Sequence, residues 1–442
     1  MTIAALWYRL ALLGCLGWVA GFSPSAVGNQ GRVRRQQVVV TPFPVQLYNH
    51  LPPLHSNPSP HETNNTPTFR RVRNVQKYAR IPVWPAWNGV FLWLVGKVFP
   101  QFAAQLEDKI TGRVCPNFFQ DSDETSPFIM LVHHCHTFAP IDPLRFVQRL
   151  FFPEGFPAHP HRGFITLTYF LDGGFRHRDS LGIEQIYGQH LKDVRHHSQW
   201  LFTGAGLLHE EMFYQTQWWH WQRQELYQLW INVPGRDKLN EPYLLLLGDE
   251  KETPVVQQDG VICRILAGKY SDYEAGVPTA SDLSVLHVSL QSGATWTYSL
   301  PETYETLIIY MRKGRLDVIG DNDENDTAET IPTHYTAFFS PSGKQLKVKA
   351  GDSVTDFMVL AGTPLNEPVS AKGSMVMRFP HEIDQAYRDY QLGLFGAPWP
   401  HALTREEWLA HVERNPSAYR RSTRNTPGET ARLSRKQTQS KL

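Results

Sequence analysis

The sequence predicts an all-β protein built from two similar halves, and two observations carry this prediction. Between about residues 115 and 365, short runs rich in β-branched and aromatic residues alternate with Gly, Pro and Asp. Strands at this spacing are typical of sandwiches and barrels. In addition, Phe164–Gly174 aligns with Glu305–Arg315, which places Tyr169 on Tyr310. Such internal similarity favours two tandem copies of one β-barrel.

Composition limits the class of protein. The chain of 442 residues has 43 Lys and Arg against 42 Asp and Glu, so its net charge is +1. A nucleic-acid binder with a strong basic excess is therefore not expected. Hydrophobic residues make up 41% of the chain, enough for a sizeable core. Four cysteines are too few for a disulfide-stapled scaffold, so free or buried thiols are expected.

The first ninety residues resemble targeting sequence. Residues 1–22 combine one Arg with a short apolar run, as in a secretory signal peptide, and the run is too short to span a bilayer. Residues 23–90 are rich in Pro, Asn and Ser and hold a single acid, Glu62, which predicts a transit peptide or a disordered segment. The junction around Phe22 resembles the cleavage motif of bipartite plastid leaders in diatoms and other stramenopiles. We therefore expect a plastid location, with secretion as the alternative, and no transmembrane span.

The other end predicts one helix and then a tail. A helical pattern covers Glu382–Leu392 and stops before Gly393. Residues 405–442 hold nine Lys and Arg and four Glu, with few apolar residues after Trp408. This composition is typical of a disordered basic tail.

Two short motifs in the first half predict a metal site. His159 and His161 come just before a predicted strand, and His209 and Glu211 follow a Gly-Ala-Gly turn. In an extended segment, residues i and i+2 point to the same face. Each pair therefore presents two ligands side by side, and two pairs facing each other in one barrel would supply three nitrogens and one oxygen. Such donors suit Fe, Mn, Ni, Cu or Zn better than Ca or Mg. Solvent-exposed histidines are the alternative interpretation of the first pair alone.

The second half carries no such ligand set. Under the internal alignment, the four positions are occupied by Leu300, Glu302, Leu346 and Val348. We therefore predict one metal ion per chain, held by the N-terminal barrel.

Several other residues were considered for a role. His177 follows the metal-bearing segment closely and is a candidate for the barrel mouth. His133, His134 and His136 have no acid nearby in the sequence, and no site is predicted for them. The aromatic cluster Trp218–Trp221 is interpreted as an exposed or partly packed insertion, with a protein-binding surface as the alternative.

Taken in chain order, the motifs resemble those of the pirin family of bicupins. The matching stretches are His159–Phe164, His177–Ser180, Gln199–Trp200, Thr203–Met212, Leu229–Pro234, Leu239–Pro242 and Leu360–Val369. The resemblance covers about residues 115–395. It implies two tandem cupin (jelly-roll) barrels, over 115–250 with a metal and over 255–395 without one, the second closed by the late helix. It also implies one non-haem iron held by His159, His161, His209 and Glu211.

The resemblance leaves two functional hypotheses. Some pirins resemble quercetin 2,3-dioxygenases, which open a flavonol ring with O2; Glu211 would then serve as ligand and as general base. The alternative is a non-catalytic, redox-responsive iron protein that binds transcription regulators.

The chain departs from the family pattern at two positions near the first ligand pair. Residue 158 is usually Asp and is Ala here, and residue 165 is often Glu and is Ile here. The stretches Gly182–His197 and Tyr214–Gln224 are longer than expected and flank the metal motifs, so they are candidates for reshaping the entrance.

Overall fold

The computed structural model describes residues 68–82, 94–101, 112–119, 122–138, 153–214, 221–320 and 329–419. The chain divides into two compact units, residues 1–66 and 67–442, and the described residues belong to the second. The predicted signal peptide, most of the predicted transit segment and residues 420–442 lie outside the described residues.

The described part is mostly β, as the sequence predicts. The strands of the N-terminal half are β2 (Ile81–Pro82), β3 (Gly112–Phe118), β4 (Phe128–Phe138), β5 (Gly155–His161), β6 (Phe164–Asp179), β7 (Glu184–Gln189), β8 (Ser198–Phe202), β9 (Leu207–Phe213), β10 (Gln222–Asn232) and β11 (Tyr243–Leu247). Those of the C-terminal half are β1 (Val72–Lys77), β12 (Val255–Gln258), β13 (Val261–Ala267), β14 (Lys269–Tyr270), β15 (Tyr273–Glu274), β16 (Leu283–Leu290), β17 (Thr295–Ser299), β18 (Thr306–Lys313), β19 (Arg315–Val318), β20 (Glu329–Pro332), β21 (Tyr335–Phe339), β22 (Gln345–Ala350) and β23 (Thr355–Gly362). A hairpin of β24 (Ser370–Lys372) and β25 (Met375–Met377) follows, and the helices are α1 (Ser122–Thr125), α2 (Pro380–Gln391) and α3 (Arg405–Arg414).

The N-terminal barrel is organised around the long strand β6. One sheet has the order β11-β8-β6-β10-β4-β3-β2, and β5, β9 and β7 complete the barrel through β6. The first part of β6 pairs with β8 and β10, and its last part, from Gly173 onwards, pairs with β7 and β9. The positive φ of Gly173 marks the change of partners, a conformation that glycine adopts without strain. β6 therefore joins the two walls of the barrel.

The C-terminal barrel repeats this plan. Its larger sheet has the order β1-β21-β18-β23-β16-β13-β12, and its smaller sheet has the order β17-β22-β19-β20. The prediction of two tandem barrels is confirmed, and late helix α2 lies within one or two residues of its predicted bounds. The helices of the described residues do not combine the length and the hydropathy that a membrane span requires.

Strand β1 corrects one expectation. Residues 23–90 were predicted to be a transit peptide or disordered, yet Val72–Lys77 pairs with β21 at the edge of the C-terminal barrel. Val72 and Val75 pack against the core, and the buried Arg70 donates to the carbonyls of Glu305 and Ser340. The paired edge strand lies more than 200 residues away in sequence, so local composition could not indicate it.

Helix α3 corrects a second expectation, because the predicted tail begins with an ordered helix rather than a disordered segment. Thr404 and Glu407 cap its first turn reciprocally, and Trp408 and Val412 are buried. Two buried apolar residues form too short a periodic pattern to predict a helix, although Thr404 and Glu407 have the spacing of a capping box.

The two barrels meet through reciprocal tyrosine–histidine pairs. The Tyr169 hydroxyl of the N-terminal barrel lies 2.9 Å from Nδ1 of His287, and the Tyr310 hydroxyl of the C-terminal barrel lies 2.9 Å from Nδ1 of His133. The internal alignment had already placed the two tyrosines on each other. The pseudo-symmetric contact is thus the structural counterpart of the sequence repeat.

An ionic bridge joins these two pairs. His133 bonds Glu225 at 3.2 Å, and His287 bonds Asp356 at 3.1 Å. The Arg312 guanidinium donates to both carboxylates, at 2.6 and 3.1 Å. Burial raises the pKa of each carboxyl, but His133 and Arg312 hold that of Glu225, and His287 and Arg312 hold that of Asp356, below the usual range. Arg312 is thus a cation that the two buried acids share at the interface.

Candidate metal centre

The two predicted ligand pairs lie on neighbouring strands of the N-terminal barrel. β5 and β9 are antiparallel, and His159 lies directly opposite His209. A register shift between Phe156 and His159 gives β5 an extra residue, and bulges of this kind re-aim side chains next to functional sites. The i, i+2 reasoning therefore indicated the three histidines that the strand pairing brings together.

Gly163 ends the first motif because another segment approaches it closely. Its φ is +86°, and a Cβ atom there would lie 2.1 Å from the carbonyl oxygen of Val376 in β25. A side chain at this position would push β25 away from the strand that carries His161.

Three histidines converge inside the barrel. Nε2 of His159 lies 3.0 Å from Nε2 of His161 and 3.0 Å from Nε2 of His209. The three ligand atoms lie within 4.8 Å of one another. Nitrogens bound at about 2.1 Å to one ion and at right angles lie about 3.0 Å apart. The spacing is therefore that of adjacent ligands on one metal ion.

The hydrogen bonds of the rings indicate which nitrogens carry protons. Nδ1 of His159 lies 2.8 Å from the carbonyl oxygen of Pro157, and Nδ1 of His161 lies 3.4 Å from that of Ser374. A ring nitrogen facing a carbonyl carries the proton, so each Nε2 presents a lone pair. Two lone pairs at 3.0 Å repel each other unless a cation lies between them.

Burial keeps these imidazoles neutral. It lowers the pKa of His159 to about 4 and the pKa values of His161 and His209 well below their ordinary range. Neutral imidazole is the form that binds metal ions. The donor set, its spacing and its protonation state therefore fit a bound transition-metal ion.

Glu211, the fourth predicted ligand, lies outside this three-histidine cluster. One carboxylate oxygen accepts hydrogen bonds from the Thr168 and Tyr187 hydroxyls, both at 3.3 Å, and the other accepts from the Gln228 amide at 2.9 Å. The carboxylate is buried on the strand that carries His209, two residues further along. Its role as ligand and general base stays a prediction.

The surroundings of Glu211 act on its pKa in opposite directions. Burial raises the pKa, and the nearby His177 and the three hydrogen bonds lower it, with burial dominating. A carboxylate with a raised pKa is a stronger base than an exposed one. Glu211 is therefore a candidate proton acceptor inside the barrel.

Sequence reasoning missed the residues that hold the site together. His177, a candidate for the barrel mouth, is fully buried and bonds Asp179 at 3.0 Å, and its ring lies 5.4 Å from that of His209. Tyr187 and Gln228 come from strands 24 and 17 residues away from Glu211. The His-x-Asp pattern was the one available signal, since i and i+2 share a face.

The remaining candidates have different outcomes. His134 and His136 are buried on β4 among aromatic rings, Phe156 and Phe213 respectively. Of the cluster Trp218–Trp221, only Trp221 belongs to the described residues, where its side chain is exposed.

Comparisons with known proteins agree with this architecture. The Pirin domain matches residues 110–231, and the Pirin C-terminal cupin domain matches residues 285–396. The chain is 36% identical over 247 residues to a pirin-like protein of Solanum lycopersicum, covering 55% of this chain and 78% of that protein. Human pirin is 33% identical over 240 residues, covering 54% of this chain and 77% of that protein.

Among solved structures, a quercetin 2,3-dioxygenase from Acinetobacter baumannii is similar, with a TM-score of 0.58 and 26% identity. The match covers 75% of this chain and 99% of that protein. The matched domains together span both barrels and include the three converging histidines. The chain belongs to the pirin family of bicupins.

Proposed function

We propose that this chain is an iron-dependent dioxygenase that cleaves flavonol-like substrates of the quercetin type with O2. The observation that carries the proposal is the convergence of three neutral imidazoles on one point, with a buried carboxylate two residues from the third. The similarity to a solved quercetin 2,3-dioxygenase supports this reaction class. That similarity also favours catalysis over the non-catalytic, regulator-binding alternative.

The chain's own residues can hold the ion and move a proton. His159, His161 and His209 would bind iron through Nε2, and Glu211 would complete the set. Bound iron would supply redox chemistry toward O2 that a closed-shell flavonol lacks by itself. Glu211 accepts the proton of a flavonol hydroxyl, because its pKa is raised by burial.

Neighbouring side chains keep that carboxylate in place. The Tyr187 hydroxyl and the Gln228 amide donate to opposite oxygens of Glu211. Burial raises the pKa of Tyr187 well above its ordinary value, so this hydroxyl remains a donor at neutral pH. The aromatic ring of Trp230 lies 5.4 Å from that of His161 and packs against one side of the three-histidine cluster.

The test is O2 uptake by the purified iron-loaded chain with quercetin as substrate. We expect O2 consumption that depends on the flavonol and is lost in His161→Ala. Uptake no greater in the wild type than in His161→Ala would contradict the proposal for flavonols.

A plastid location is proposed from the leader residues alone. A fluorescent protein fused to residues 1–90 and expressed in a diatom cell tests this location.

A further inference from the structure

Strands β5 and β9, which carry the three histidines, and the adjacent strand β6 have a second face, which points away from the site. Because side chains alternate along a strand, Arg162, Arg178, Leu208 and Glu210 occupy this outer face. All four are buried. They lie under residues 393–419, which follow α2 and which we call the C-terminal clamp. The match to the Pirin C-terminal domain ends at residue 396, so nearly all of the clamp lies beyond it.

Arg162, the residue directly after His161, ties β5 to the clamp. Its guanidinium donates to the Tyr419 hydroxyl at 2.9 Å and to Asp389 at 2.7 Å. The same group lies 4.7 Å from the ring centroid of Phe395, within cation–π distance. The clamp therefore fixes the chain immediately next to one metal-binding histidine.

Arg178 makes the corresponding contacts on β6. It donates to the carbonyl oxygen of Leu403 at 2.8 Å, and its guanidinium lies 5.3 Å from the ring centroid of Trp408. It also lies 3.8 Å from the buried carboxylate of Glu210. Glu210 stands between His209 and Glu211, so this contact reaches β9 as well.

The start of β9 touches the clamp directly. Gly206 has a φ of +123°, and a Cβ atom there would lie 2.4 Å from the Phe395 ring. Leu208, the residue before His209, packs in one cluster with Phe395, Trp399 and Trp408. Strands β5 and β9, and the adjacent β6, are thus supported from behind by this segment.

Two of the three imidazoles have weak support of their own. Among the described residues, Nδ1 of His209 has no hydrogen-bond partner, and Nδ1 of His161 has its carbonyl partner at 3.4 Å. Metal-binding histidines are usually oriented by a strong hydrogen bond to the second ring nitrogen. Here, the position of the two rings depends instead on where the backbone of β5 and β9 lies.

We propose that the C-terminal clamp is a positioning element that sets the metal affinity of the centre by fixing β5 and β9 from behind. The proposal rests on the metal-binding role given above. The clamp contributes none of the three clustered histidines, so it acts through the positions of His161 and His209.

The experiment measures Co²⁺ binding to the full-length chain, with Co²⁺ alone as the probe. Trp408→Ala removes the largest clamp side chain, and Trp296→Ala is the matched control, since Trp296 is equally buried in the C-terminal barrel. We expect Trp408→Ala to weaken Co²⁺ binding about tenfold, the lower end of the effects seen when supporting residues of metal sites are removed. Trp296→Ala should lower the melting temperature without changing the Co²⁺ dissociation constant or the visible absorption of bound Co²⁺.

A milder pair of variants answers the same question if Trp408→Ala does not fold. Tyr419→Phe removes one hydroxyl that accepts from Arg162, and Tyr270→Phe removes one that accepts from Trp296. We expect Co²⁺ binding to weaken about threefold in the first variant alone, in line with the loss of one hydrogen bond. Equal dissociation constants within either pair would overturn the clamp proposal and leave the metal site standing. A wild-type chain that binds no Co²⁺ would overturn both.

Discussion

The two barrels share one strand plan and fill it differently. In the N-terminal barrel, β5 pairs with β9 and places His159 opposite His209. In the C-terminal barrel, β17 pairs with β22 in the same way and places Tyr298 opposite Leu346. The first interior is a set of neutral imidazoles, whereas the second is a packed apolar core.

The apolar interior of the C-terminal barrel is filled by the side chains of its own strands. The rings of Trp296 and Tyr298 stack at 5.6 Å with 7° between their planes, and Leu346 and Val348 are fully buried beside them. The metal-site interior instead requires Tyr187, Gln228 and residues outside the barrel to hold its polar groups. A metal-binding interior in this fold therefore depends on hydrogen bonds from other strands and segments. The apolar interior formed by the equivalent strands needs only side-chain packing.

The largest expected difference between the two barrels comes from substitutions at aligned positions. His209→Ala should abolish metal binding and O2 uptake, because one of three ligands is lost. Leu346→Ala, at the aligned position, should cost about 2–5 kcal/mol of unfolding free energy and leave metal binding intact. Metal analysis and chemical denaturation of both variants measure these outcomes. Loss of metal in Leu346→Ala would contradict the separation of roles.

A second prediction concerns the asymmetric interface. Arg312 follows Tyr310 by two residues, and the position two residues after Tyr169 is Leu171, so a single arginine serves both acids. Arg312→Met should destabilise the protein by about 3–5 kcal/mol, because Glu225 and Asp356 lose their common cation. Leu171→Ala, the matched control, should cost less. Denaturant titration at neutral pH compares them, and equal costs would argue against the bridge.

The third prediction distinguishes stabilisation by metal binding from stabilisation by side-chain packing. A ligand that binds only the folded state stabilises it by about 2.7 kcal/mol at a hundredfold excess over its Kd. The wild-type melting temperature should therefore rise on adding the metal ion, and that of His209→Ala should not. Calorimetry with and without the metal measures both. A metal-free His209→Ala protein that melts far below the metal-free wild type would show a packing role in place of a ligand role.

The smallest predicted effect is a pH dependence specific to the N-terminal barrel. Burial lowers the pKa of His134 to about 3. His134 follows His133 as Val288 follows His287, the reciprocal histidine of the other barrel, so a valine occupies the corresponding position there. Between pH 6.5 and about 3 the unfolded chain binds a proton that the folded chain does not, so stability falls as the pH decreases. His134→Val should remove up to about 1.4 kcal/mol of this loss per pH unit. Thermal melts from pH 7 to pH 5 should show a shallower slope for the variant, and an unchanged slope would contradict the assignment.

Local sequence patterns were sufficient for some of this architecture. The i, i+2 spacing located His159, His161 and His209, and the internal repeat placed Tyr169 on Tyr310 before their reciprocal contacts were known. Both features depend on residues that are close in sequence or that recur in it.

The features that were missed depend on distant partners. Strand β1 is ordered by β21, and Trp408 is buried against Arg178, more than 200 residues away in each case. Composition made both segments look like disordered ends, since each carries many charged or polar residues. The ion-pairing role of His133 was missed for the same reason, because its acid partner Glu225 comes from another strand, 92 residues further on.

The central claim is that the three converging histidines hold one metal ion per chain. Metal analysis of the purified protein beside the His159→Ala/His161→Ala double variant tests it most directly. The account predicts about one iron per chain in the wild type and none in the double variant. A metal-free wild type, or equal metal content in both proteins, would contradict it.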